Sequence, residues 1–240
     1  MQENPRPVLN RETVDVTRGI IGIGLNGTEV ALCRQGENYF QTVKNVDLGF
    51  DKKIELTKEQ FEKLWKAVEG QSTEINKDNE PNLEIERKFL VNELPEGYEN
   101  FKHKDVVQGY MAICEDTTEV RLRKKGNTYL ETVKRGSGET RLEEEIEITE
   151  DQYNALWETT EGQRVEKTRY EIPCEVGKPI ELDIYRGKLE GLKTAEKEFS
   201  SETESREFDS QIPEWFSKEV TTDGRFKNQN LALNGLPDVA

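Results

Sequence analysis

Leu-Glu-Ile-Glu-Arg-Lys-Phe-Leu-Val (Leu83–Val91) interleaves apolar and charged side chains. In a strand, residues i and i+2 share a face. Glu84, Glu86 and Lys88 therefore lie on one face, opposite Leu83, Ile85 and Phe89. The division recurs downstream. Arg121 and Arg123 share a face opposite Val120 and Leu122, and Glu143 and Glu145 lie opposite Ile146 and Ile148. Lys167 pairs with Arg169 and Glu196 with Glu198, and Asp183 sits between Leu182 and Ile184. A single strand of this kind is commonly the solvated face of an antiparallel sheet. Here acid pairs and base pairs are segregated by strand, which surface strands rarely do.

The segments Leu83–Val91, Val106–Ile113, Glu119–Lys125, Thr128–Lys134, Arg141–Ile148, Val165–Ile172, Ile180–Tyr185 and Thr194–Phe199 read as strands. Eight strands suffice to close a barrel. The expected fold is thus mainly β (α+β): an eight-stranded antiparallel closed β-barrel with flanking helices, its charged faces turned inward as a tunnel. Thr149–Thr160 reads as a helix capped by Thr149 and stopped by Gly162, and Thr57–Val68 repeats its pattern. Pro213–Lys218 and Asn228–Leu233 read as short helices.

The chain also carries an internal repeat. Gly27–Lys44 resembles Thr117–Lys134, and Lys53–Gln71 resembles Glu145–Gln163 after a two-residue gap. Over Arg18–Lys44 and Asp51–Gln71, roughly 20 of 48 positions are identical, far above chance for one spacing. Arg121, Arg123, Lys125, Glu131, Glu143 and Glu145 correspond to Ala31, Cys33, Gln35, Gln41, Asp51 and Lys53. Apolar positions are kept, so the first copy reads as a degenerate half-repeat that has lost a site. Ser72–Asn82 reads as a linker and the first ten residues as disordered. The division is 1–82 and 83–240. A half-repeat leaves sheet edges to cover, either on its own neighbour or in a homodimer.

Of the 240 residues, 33% are hydrophobic and 35% charged, with a net charge of -15. Such a balance borders on disorder unless the charge has a structural place. No apolar run is long enough to span a membrane, and MQENPRPVLN lacks a signal-peptide core. Cys33, Cys114 and Cys174 fit free thiols in the cytoplasm. His103 is the single histidine, which excludes a His-rich metal site. The acidic balance argues against nucleic acid as a partner.

Seven acids (Glu84, Glu86, Glu143, Glu145, Asp183, Glu196, Glu198) and six bases (Lys88, Arg121, Arg123, Lys134, Lys167, Arg169) nearly cancel on the inward faces. Carboxylates without His or Cys suit hard cations, Mg²⁺ or Mn²⁺. Two such ions would leave the tunnel positive and fit for a polyanion with several phosphates.

At this point the sequence resembles the CYTH superfamily, the triphosphate tunnel metalloenzymes. Leu83–Val91 carries the Glu-x-Glu-x-Lys signature. It is joined in order by Gln108–Tyr110, Glu119–Arg123, Thr132–Lys134, Glu143 and Glu145, Val165–Tyr170, Glu181–Asp183, Glu196–Phe199 and the tail Pro213–Asn228. The resemblance implies hydrolysis of inorganic triphosphate, or of an organic triphosphate, with a divalent metal. It implies that Glu84, Glu86, Glu196, Glu198 and Asp183 serve the metal, with Glu143 and Glu145 near a second metal or the attacking water. Lys88, Arg121, Arg123, Lys134, Arg169 and Arg225 would hold phosphates, and Lys167 with Tyr110 would form a catalytic dyad. The alternatives are a nucleotide or thiamine triphosphatase, a class IV-type adenylate cyclase, and a non-catalytic polyphosphate or nucleotide binder. No aromatic pair or Asn cluster tied to a motif reads a base.

Overall fold

The computed structural model describes residues 15–69, 85–135, 142–174 and 177–238. The expected linker and the first ten residues lie outside them. The chain is mainly antiparallel sheet with a few helices. β1 (Val16–Ile23), β2 (Glu29–Gln35), β3 (Asn38–Asn45) and β4 (Phe50–Leu56) form a four-stranded sheet in chain order, followed by α1 (Lys58–Glu69). The second unit comprises β5 (Ile85–Val91), β6 (His103–Ile113), β7 (Glu119–Lys125), β8 (Thr128–Arg135), β9 (Leu142–Glu147), α2 (Glu150–Trp157), β10 (Arg164–Ile172), β11 (Ile180–Arg186), β12 (Lys193–Phe199), α3 (Glu202–Glu207), β13 (Phe216–Glu219) and α4 (Asn228–Asn234). Its sheet has the order β13-β5-β12-β11-β10-β6-β7-β8-β9. No helix among the described residues is long and apolar enough to cross a membrane.

The eight expected strands are present, but backbone pairing does not close them into a barrel. The physical reason is β13, which takes the outer edge of β5 that a closing strand would need. At the other end α1 lies against β9. Part of the segment expected as a helix at 213–218 is thus strand: Phe216 is drawn onto β5 by the Phe89 ring, 4.7 Å away between centroids. The charged face is nevertheless largely covered: Asp183 is fully buried and Lys167 is 2% exposed. One end of that face is plugged by an apolar cluster in which Tyr110, Val165 and Tyr185 meet Phe226 and Leu231 near the C-terminus.

The outer face of β6–β9 packs on the N-terminal sheet in one shared core. Leu32, Ile54 and Leu64 from the first unit join Leu122, Ile146 and Leu156 from the second. The two sheets have the same register. Val16 lies opposite Gln35 and Val106 opposite Lys125, each 90 residues on, and both pairs of strands shift register at the matching place, Ile20/Gly22 and Tyr110/Ala112. Gly19 and Gly109 meet the same demand. A Cβ on Gly19 would lie 2.9 Å from the Trp65 ring, and one on Gly109 would lie 2.9 Å from the Trp157 ring. Each helix therefore seats its tryptophan on bare backbone. Thr149 and Gln152 form the capping box of α2, and Thr57 with Gln60 exchanges the matching bonds before α1.

One residue behaves unlike the sequence reading. Glu131 was grouped with charges lost from a site, yet it points to the outer face and is fully buried. Its strand neighbours are Leu122 and Ile146, and Gln41 Nε2 donates to it at 2.6 Å. Burial, opposed by the Gln41 hydrogen bond, pushes its carboxyl up to about 7. Gln41 Oε1 and Glu131 Oε2 are both buried without a hydrogen-bond partner among the described residues, and a proton on Glu131 would supply the donor they lack.

Because the folded carboxyl holds its proton more tightly than the unfolded one, its contribution is present at low pH and is lost as pH rises towards 7. Glu131→Gln should remove this dependence. The stability of wild type relative to this variant should fall by up to about 3 kcal/mol between pH 4.5 and pH 7 and then stay flat. Urea unfolding of both proteins across that range checks it, and a constant difference would show that Glu131 is ionised throughout.

Candidate active site

Arg169 on β10 is the hub of the charged face. It donates through Nε to Asp183 at 2.7 Å and through Nη2 to the other oxygen of that carboxylate at 2.6 Å. It also bonds Glu181 and Glu196. Strand register explains this convergence: Arg169 lies directly opposite Asp183 on β11, and Glu181 lies opposite Glu196 on β12. Lys167, two residues along β10, bonds the buried Asp183. Lys88 reaches Glu196 at 2.8 Å from β5.

These groups tune one another. Burial would raise the Glu196 carboxyl, but Lys88, Lys167 and Arg169 outweigh it and hold the group well below the usual carboxylate range. Burial likewise works against charge on Lys88, and Tyr185, Glu196 and Asp183 reverse the effect, so the ammonium stays protonated.

A second cluster lies on β7–β9. Arg121 holds Glu119 at 3.2 Å, Lys134 holds Glu143 at 2.9 Å, and Thr132 donates to Glu145 at 3.0 Å. Arg123 differs from these. Burial first, then Arg121 and Arg169, lower its pKa. The Nε atoms of Arg121 and Arg123 are buried without a hydrogen-bond partner among the described residues. Arg121 and Arg169 thus lie close enough to Arg123 to repel it, on a largely buried face where two guanidinium donors stay unused among the described residues.

The structure brings together Lys88, Arg121, Arg123, Lys134, Glu143, Glu145, Lys167, Arg169, Asp183 and Glu196 on this face. It also adds Glu119 and Glu181, both legible as the i−2 neighbours of Arg121 and Asp183. Tyr185 is a further addition: it lies opposite Lys167 in register, with its ring 5.4 Å from the ammonium. Tyr110, expected beside Lys167, belongs elsewhere. Lys167 lies opposite Val106, four residues before Tyr110, or about 13 Å along the strand. The Tyr110 hydroxyl instead accepts from Gln108 at 2.9 Å and bonds Arg121. Arg225 is exposed, bound to Asp223 and to the Asp238 carbonyl, and outside the network.

Of the expected metal ligands, Glu84 lies outside the described residues. Glu86 and Glu198 lie directly opposite in register, and Glu198 bonds Lys178. Like charges placed directly opposite repel, so the pair favours a cation between or beside them. No three acids are assembled as a ready metal cage among the described residues. The oxygen-only donor set fits a hard divalent ion.

The chain is similar to two curated inorganic triphosphatases. One, from Nitrosomonas europaea, is 44% identical over 151 residues, which cover 63% of this chain and 97% of the relative. The other, from Acetivibrio thermocellus, is 37% identical over 155 residues, covering 63% of this chain and 94% of the relative. Among solved structures, that of an inorganic triphosphatase is 42% identical, with a TM-score of 0.52 over 65% of this chain and 97% of that one. No family model matches the chain.

Arg169→Met would leave the buried carboxylates of Asp183 and Glu196 short of their shared cation. Stability should fall by about 3–5 kcal/mol, the usual cost of breaking a buried pair from one side. Denaturant titration reads this directly, and a loss below about 1 kcal/mol would mean that the network is wet.

Proposed function

The chain belongs to the inorganic triphosphatases of the CYTH superfamily, and on that premise we propose that it hydrolyses inorganic tripolyphosphate to diphosphate and phosphate on the charged face of its larger sheet. The observation that carries this reading is the convergence of Arg121, Arg123 and Arg169, with two buried donors left unused among the described residues. Buried cations that repel one another are costly, and a polyphosphate chain relieves both the repulsion and the missing hydrogen bonds.

In this proposal Lys88, Arg121, Arg123, Lys134 and Arg169 orient the polyphosphate. Asp183, Glu181 and Glu196 hold Arg169 and Lys167 in place, and Tyr110 orients Arg121. Water attacks the terminal phosphorus, and Glu143 or Glu145 accepts its proton. The bridging P–O bond breaks, and diphosphate leaves as an anion stabilised by the guanidiniums and by Lys167. Glu86 and Glu198, with Glu84 by the sequence alternation, would hold Mg²⁺ or Mn²⁺; when bound, the ion would neutralise phosphate oxygens and polarise the terminal phosphoryl group. Free Cys33, Cys114 and Cys174 suit the reducing cytoplasm. The shared register of the two sheets supports descent of the N-terminal unit from a partial duplication that no longer carries Arg121 and Arg123.

Arg123→Ala should lower kcat/KM for tripolyphosphate about 10²- to 10³-fold. Its melting midpoint should hold or rise, because a repelled buried charge is removed. The assay should run tripolyphosphate, ATP and thiamine triphosphate side by side in Mg²⁺ and in Mn²⁺, with cyclic AMP measured from ATP. Fastest turnover of tripolyphosphate is expected, and chelation should abolish it. Tight binding without turnover in either metal would overturn the hydrolytic reading.

A further inference from the structure

The contacts between the two units are arranged about a two-fold axis. The Gln60 amide donates to Gln152 Oε1 and the Gln152 amide donates to Gln60 Oε1, both at 3.2 Å. Gln60 Nε2 reaches the Glu147 carbonyl at 2.9 Å, and Gln152 Nε2 reaches the Glu55 carbonyl at 2.7 Å. Gln60 and Gln152 are equivalent in the repeat, as are Glu55 and Glu147. Each unit thus makes to the other the bond that it receives. The helices are exchanged in the same sense, α1 onto β9 and α2 onto β4. Gln41 and Glu131 are also equivalent positions, and they bond each other in the shared core. This is the geometry of an isologous dimer interface, built within one chain.

The equivalent positions that differ are complementary. Lys52 bonds Glu158 at 2.5 Å, and Lys66 lies 3.9 Å from Glu144. Lys52 corresponds to Glu144 and Lys66 to Glu158. Were the second unit paired with another copy of itself, Glu144 would face Glu158 twice, and Glu131 would face a second Glu131. Cross-interface like charges of this kind reject a partner. The first unit carries a cation or a neutral amide at each of these places.

We propose that the outer face of β6–β9 is a two-fold pairing surface, that residues 15–69 are its diverged partner fused in the same chain, and that Gln41, Lys52 and Lys66 make the pairing heterotypic, so the protein is a self-paired monomer. Because 63% of this chain accounts for 97% of a relative, the family fold is complete without a segment of this size. The segment's retained apolar face has a use here that needs no active site.

Two measurements on the full chain test the proposal. Light scattering should give the monomer mass of 27.7 kDa at all concentrations up to about 100 μM. Carbodiimide cross-linking of a mixture of ¹⁴N and ¹⁵N chains should join Lys52 to Glu158 only within one isotope. A dimer mass, or mixed-isotope cross-links at this pair, would overturn it.

The two-fold equivalence is tested by exchanging the axial pair. Only Leu32, Ile54, Leu122 and Ile146 flank it on the neighbouring strands, and no charged group among the described residues contributes to the Glu131 shift. Gln41→Glu should lower the melting midpoint by about 5–10 °C, more at pH 8 than at pH 6, because two carboxyls must then share a proton. Adding Glu131→Gln should restore the wild-type midpoint. Losses that simply add would show that the two sites are not equivalent and would overturn the two-fold reading.

Discussion

The site depends on the placement of Arg169. Its guanidinium has five donors in a rigid fork, and it engages Asp183, Glu181 and Glu196 from two neighbouring strands. Removing such charges from water is expensive, and only near-complete pairing offsets the cost. Once Arg169 is fixed, Lys167 shares the Asp183 Oδ2 with it and Glu196 has its other oxygen for Lys88, so each lysine is held by a partner that is itself held.

The network does not extend evenly round the face. On β10–β12 acids and bases satisfy each other, whereas on β7 the Nε donors of Arg121 and Arg123 do not find partners among the described residues. Stability alone would favour an acid or an apolar residue at position 123. A buried donor without an acceptor, next to two other cations, is a local cost that a bound anion would repay. The asymmetry therefore separates residues that build the site from residues that serve it.

Much of this was legible in the sequence. Alternation separates Lys88, Arg121, Arg123, Lys167, Arg169, Asp183 and Glu196 from the apolar face of each strand, because the side-chain period within a strand is two. Features set by pairing were not legible. Tyr110 and Lys167 lie on adjacent strands, but their register separates them, and Tyr185 takes the place beside the lysine. Closure was misjudged because β13 is a four-residue strand that owes its place to Phe216 and the Phe89 ring, a tertiary contact with no periodic signal. Glu131 misled for a related reason: an acid in an apolar face looks like site chemistry until Gln41 is seen across the interface.

A net charge of -15 would seem to repel a polyanionic substrate. The two facts act over different distances. Charges on the outer surface are screened within about 8 Å at physiological ionic strength, and those on the far side of the chain are farther from the site than that. Arg121, Arg123 and Arg169 act at contact range on a largely buried face, where screening is weaker and each interaction is worth more than in water. The global charge therefore bears on solubility and on encounter rate at low salt, while the local field decides what is held. A chain can be strongly acidic and still present a cationic site, provided that the cations are inside.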